Sequence, residues 1–97
     1  MFRISGTEHH VITEDGRIFV QENSGTLNID CEKNGQSAGW YKEGSRRNVG
    51  LNIGRGNWMR VKFYSHLPSL SGTYTCIIFN DDRIQRSVEV HIEGKCE

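Results

Sequence analysis

The stretch Ser71-Gly72-Thr73-Tyr74-Thr75-Cys76 decides the fold of this chain, read together with Cys31 and Trp40 upstream. Alternation turns Tyr74, Cys76 and Ile78 to one side and Thr75, Ile77 and Phe79 to the other. That period of two marks a strand with one face on a core and one in solvent.

Working outward, the same pattern recurs. Thr26-Leu27-Asn28-Ile29-Asp30-Cys31-Glu32 is the cleanest alternation, with Leu27, Ile29 and Cys31 inward and Asn28, Asp30 and Glu32 outward. Residues 37–42 read as a strand with Ala38 and Trp40 inward and Tyr41 outward. Met59, Val61 and Phe63 alternate with Arg60, Lys62 and Tyr64, and this places Trp58 outward. Residues 86–92 put Val88, Val90 and Ile92 inward, with Ser87, Glu89 and His91 outward. Arg17-Ile18-Phe19-Val20 is a further strand, after the turn signal Asp15-Gly16. Residues 1–16 are otherwise irregular, and Val11-Ile12 is the candidate for a short first edge strand. Residues 43–57, rich in Gly and Asn, hold short strands around Val49, Leu51 and Ile53. The Asn80–Arg83 hairpin carries a register constraint. Cys76 and Val88 must face one core, whereas a two-residue turn at Asp81-Asp82 would oppose Cys76 to Ser87. The loop therefore has an odd residue count or a bulge.

Ninety-seven residues make one domain with one modest core. Twelve basic and twelve acidic residues cancel, so overall charge points to neither a nucleic-acid nor a membrane partner. No internal repeat is present. No apolar run is long enough for a transmembrane helix or, at Met1-Phe2-Arg3-Ile4-Ser5, for a signal-peptide core.

A cysteine, a tryptophan nine residues on, and Tyr-x-Cys near the end of the domain resemble the immunoglobulin superfamily, nearest its intermediate and C2-like sets. The resemblance covers residues 17–93 and rests on Cys31, Trp40-Tyr41-Lys42, the 59–63 strand and Ser71–Cys76. It implies an all-β, antiparallel two-sheet β-sandwich of seven to eight strands over 17–93. An N-terminal segment (1–16) and a tail (94–97) flank it. It further implies a Cys31–Cys76 disulfide between the sheets, Trp40 packed on that bridge, and the Tyr74 hydroxyl turned onto upstream backbone at a corner that Gly72 leaves open. Two departures stand out. The position four before the tyrosine, usually acidic, is Leu70, so an ion pair is replaced by packing. The gap from Cys31 to Trp40 is also short. Only 33 residues separate Trp40 from Tyr74, too few for a variable-type domain. A bridge closing about 45 residues contributes roughly 2–4 kcal/mol and persists in an oxidising compartment. The competing reading is an intracellular relative with both thiols reduced.

Two candidate surfaces follow. Tyr41, Ile77, Phe79 and His91 share the outer face of the strands at 37–42, 74–79 and 86–92, an apolar and aromatic cluster rimmed by polar groups that suits a protein partner. Half of the basic residues fall between positions 42 and 62, opposed only by Glu43. Among them Arg46, Arg47, Arg60 and Lys62 are candidates for an anionic partner, sulfated glycan included, or for a solvated edge that resists aggregation. Cys96, past the last strand, is a candidate for an inter-domain or inter-chain bridge, or a free thiol.

Glu8, His9 and His10 are too local for a zinc site, which needs about four converging ligands. Ser, His and Asp occur without triad or nucleophile-elbow context, and no phosphate-binding loop is present. The expectation is a non-enzyme without cofactor or metal. The resemblance suggests an extracellular or cell-surface recognition module of a longer receptor or adhesion protein, binding a protein homophilically or heterophilically. The alternatives are a structural module of an intracellular filament protein and a sulfated-glycan-binding module. Nucleic acid and membrane insertion are not expected.

Overall fold

The computed structural model describes residues 2–94, which form nine strands in two facing sheets. Strands β1 (Phe2–Gly6), β4 (Thr26–Glu32), β7 (Trp58–Tyr64) and β6 (Leu51–Ile53) make a four-stranded sheet in the order β1-β4-β7-β6. Strands β2 (His10–Ile12), β3 (Arg17–Gln21), β9 (Ile84–Glu93), β8 (Gly72–Ile78) and β5 (Ala38–Lys42) make a five-stranded sheet in the order β2-β3-β9-β8-β5. The fold is the expected all-β two-sheet sandwich, compatible with an immunoglobulin-like architecture.

Two details differ from the sequence expectation. Nine strands are present, not seven to eight, and β3 runs parallel to β9, so the five-stranded sheet is mixed rather than purely antiparallel. The strand not anticipated is β1. It pairs antiparallel with β4, setting Phe2 opposite Cys31 and Ile4 opposite Ile29, so both side chains close on the core. On the other face Arg3 lies opposite Asp30. The partners that hold β1 are more than 20 residues away, and a local pattern cannot show them.

Between the sheets lies one core. Leu27, Ile29, Cys31, Met59, Val61 and Phe63 meet Ile18, Val20, Trp40, Tyr74, Cys76, Val88, Val90 and Ile92. Each buried Leu, Ile or Phe side chain contributes about 1.5–3 kcal/mol of transfer free energy. Phe63 and Tyr74 meet edge to face at 4.8 Å, the arrangement aromatic quadrupoles favour.

Cys31 and Cys76 are bonded across the core, with their Cα atoms 6.6 Å apart. Their register neighbours enclose the bridge. Phe2 lies beside Cys31 and Trp40 beside Cys76, and the two rings approach to 5.5 Å. The Trp40 indole N–H donates to the Met59 carbonyl at 2.7 Å, so its one polar atom is satisfied inside the core.

The corner before β8 forms as the sequence suggests. Pro68–Leu70 makes a single 3-10 turn. The Tyr74 hydroxyl then donates to the Leu70 carbonyl at 2.6 Å, and burial raises its pKa, so it stays protonated as a donor. Leu70 packs against the core in place of an acidic residue. Gly72 has φ +153°, and a Cβ there would lie 2.8 Å from Lys42 Cε. Ile78 pairs with Ile84, which leaves the five-residue loop 79–83, an odd count. Tyr74 therefore faces Val88, and both are buried.

Candidate functional site

Tyr41, Ile77, Phe79 and His91 all lie on the outer face of the five-stranded sheet, at two separate places. Gly39 is opposite Ile77 and Tyr41 opposite Thr75, so β5 and β8 present one surface. The Tyr41 ring lies over Gly39, where an added Cβ would sit 2.8 Å from the ring and from its hydroxyl. A glycine here is a packing requirement that strand periodicity alone does not signal. Phe79, just past β8 and 44% exposed, meets Tyr41 edge to face at 6.4 Å. The Arg83 guanidinium stands 5.9 Å from the Phe79 ring centroid. Tyr41, Ile77 and Phe79 thus gather at one end of the face.

His91 lies at the other end. It is six residues along β9 from Gln85, which faces Ile77, a distance of about 20 Å at strand rise. There it stacks on Phe19 of β3, with ring centroids 4.9 Å apart and planes 15° apart. Phe19 is a member of this surface that sequence reading missed. Its neighbour arrives through the parallel pairing Phe19–His91, which no local pattern encodes. His91 Nε2 is 3.4 Å from Glu89, which in turn faces Arg17 at 3.7 Å. Between the two aromatic ends the face is polar, and the Thr75 and Ser87 hydroxyls hydrogen bond at 2.8 Å.

The four basic candidates are also divided. Arg46 and Arg47 are exposed in the connection between β5 and β6. Arg60 and Lys62 project from the outer face of the four-stranded sheet, as their alternation implies, but only Lys62 is exposed. Asp30, read from the sequence as an outward residue, points outward and is nonetheless fully buried. Arg60 Nε donates to it at 2.8 Å and Arg3 Nε donates from the other side at 2.8 Å. The Arg3 guanidinium lies 3.9 Å over the Trp58 ring and closes the cover. Burial pushes the Asp30 carboxyl up, and the hydrogen bonds and charges of Arg60 and Arg3 outweigh it and hold the pKa below the ordinary value. Arg60 is therefore committed to an internal partner.

Among the described residues no group of three His, Cys, Asp or Glu side chains converges on a metal-sized site, and no helix is long and apolar enough to cross a membrane. Cys96 lies outside the described residues. Comparison with protein-family models, curated proteins and solved structures returned no match.

Proposed function

We propose that this chain is a recognition module of the immunoglobulin superfamily, working outside the cell and presenting the outer face of its five-stranded sheet to a protein partner. The observation that carries the reading is the Tyr41–Phe79 pair beside Ile77: large aromatic side chains, partly exposed, on a scaffold fixed by the underlying core. Tyr and Phe are enriched at the centre of protein interfaces, where they bring contact area at low entropic cost. The polar groups around them, Thr75, Ser87 and Gln85, suit a rim.

The Cys31–Cys76 disulfide is consistent with an extracellular location and supports that part of the proposal. The basic surface supports a glycan partner less well, because Arg60 is engaged by Asp30. Two readouts test the reading. Non-reducing peptide mapping of the native protein should recover the Cys31–Cys76 peptide pair; thiols free in the native protein would move the intracellular structural module to first place. A fluorescent tetramer of the chain should stain partner-bearing cells, and Phe79→Ala should abolish the staining while Val49→Ala leaves it intact. Staining that survives Phe79→Ala and disappears at moderate salt would favour the anionic glycan instead.

A further inference from the structure

The five-stranded sheet ends on one side at β5 and on the other at β2, and the two edges are finished differently. At β5 the backbone groups of Trp40 are taken. Its N–H donates to Asn48 Oδ1 at 3.0 Å, and its carbonyl accepts from Val49 N–H at 2.9 Å. At β2 the hydrogen-bond phase can be read from its neighbours. Gln21 N–H donates to the His9 carbonyl and Thr13 N–H to the Arg17 carbonyl, so residues 9, 11 and 13 face β3. Alternation then directs the backbone N–H and carbonyl groups of His10 and Ile12 away from the sheet. Val11 and Ile12 are 65% and 51% exposed, and β2 is kept short, at three residues, but contains no Lys, Pro or bulge. On the β3 side of the strand runs a groove of about 560 Å³, lined by His9, His10 and Val11, by Phe19 and Val20 of β3, and by Glu93 at the end of β9, among others.

We infer that the β2 edge docks an extended segment of a protein partner, which adds as an antiparallel tenth strand and carries Lys or Arg on both sides of an apolar centre. The backbone supplies the pairing, and the side chain opposite Val11 extends the apolar face that Val11 shares with Phe19. Charge decides the occupant. Glu8 and Glu14 flank the strand, both exposed, and neither is ion-paired within the described residues. A second copy in the register that opposes Val11 to its own Val11 would bring Glu8 near Glu14 of that copy just beyond both ends of the ladder, and like charges there disfavour that register. A segment with a basic residue on each side of its apolar centre would instead meet an acid near each end of β2.

The probe is the seven-residue peptide Lys-Thr-Val-Ile-Val-Thr-Lys with blocked ends, titrated into the full chain and followed by amide chemical shifts. Shifts should concentrate at His10–Ile12 and Phe19, away from Tyr41 and Phe79, and the same peptide with Glu at both ends should bind several-fold more weakly. Ile12→Pro removes the outward Ile12 N–H while leaving positions 9, 11 and 13 to hold β2 on β3. With the rest of the amide spectrum unchanged, it should weaken binding by about tenfold or more. Glu8→Lys should weaken the Lys-ended peptide and strengthen the Glu-ended one. Equal affinity for both peptides, binding that survives Ile12→Pro, shifts confined to Phe79 and Tyr41, or no shift at millimolar peptide would each overturn the inference. So would concentration-dependent self-association of the chain that Ile12→Pro abolishes, because the occupant would then be a second copy.

Discussion

The two outer faces of the sandwich differ in how they hold charged side chains. On the four-stranded sheet, Arg3, Asp30, Arg60 and Trp58 are spent on one another: one buried carboxylate, two guanidinium donors, and a ring beneath one of them. On the five-stranded sheet, Tyr41 and Phe79 meet edge to face, and Phe79 leaves apolar surface in solvent beside the half-buried Ile77. Charge shared by Arg3, Asp30 and Arg60 on the first face therefore reads as stability, whereas exposed apolar area occurs on both faces, at Leu51 and Tyr64 of the first and at Phe79 of the second. The count of basic residues between positions 42 and 62 does not show this distinction, because it weighs Arg60 and Lys62 equally.

The largest effect should come from the core beneath both faces. Replacing Cys31 and Cys76 together by Ala should cost about 2–5 kcal/mol, because the unfolded chain regains the freedom of a 45-residue loop and the core loses two sulfurs. Chemical denaturation of the double variant checks this. Next comes the paired face itself. Asp30→Ala leaves two guanidinium groups without their acid and should cost about 2–4 kcal/mol, toward the low end because the Arg3 side chain is 48% exposed. Hydrogen exchange should show β1 opening first in that variant, since Arg3–Asp30 is its outer-face tie to β4. Uniform loosening of both sheets would contradict this assignment.

The same face sets a pH dependence. The folded Asp30 carboxyl titrates below its unfolded value of 3.8. Its stabilisation is therefore complete well above that value and is lost as pH falls through the lowered folded one. Acid unfolding of the parent should steepen below about pH 4, and Asp30→Asn should flatten that limb. A smaller effect belongs to the corner. Tyr74→Phe removes the hydroxyl that donates to the Leu70 carbonyl and should cost about 1 kcal/mol, with the aromatic packing on Phe63 retained. The smallest stability change belongs to the outer face of the five-stranded sheet. Phe79→Ala should alter the unfolding free energy by less than about 0.5 kcal/mol, as surface substitutions do, while removing recognition.

This ordering follows what local pattern can and cannot carry. The inward residues of β4, β7, β8 and β9 were legible because each strand buries one face and period two exposes it directly. The odd loop at 79–83 was legible too, since Cys76 and Val88 had to share a core. What escaped depends on partners remote in sequence. Asp30 looks like any outward acid until Arg3, 27 residues before it, and Arg60, 30 after it, are brought alongside. Phe19 looks like an isolated outward residue until parallel pairing with β9 sets it against His91. For the same reason His91 belongs with Phe19 and not with Phe79, although alternation puts all three on one face.

The most direct test of the account sets the two faces against each other. A photo-crosslinking phenylalanine analogue would be placed at position 79 in one variant and at position 62 in another, each expressed in the native setting and irradiated. The account predicts a protein adduct from position 79 and none from position 62. Adducts from position 62 alone would show that the four-stranded face carries the partner, and would contradict the assignment of recognition to Tyr41, Ile77 and Phe79.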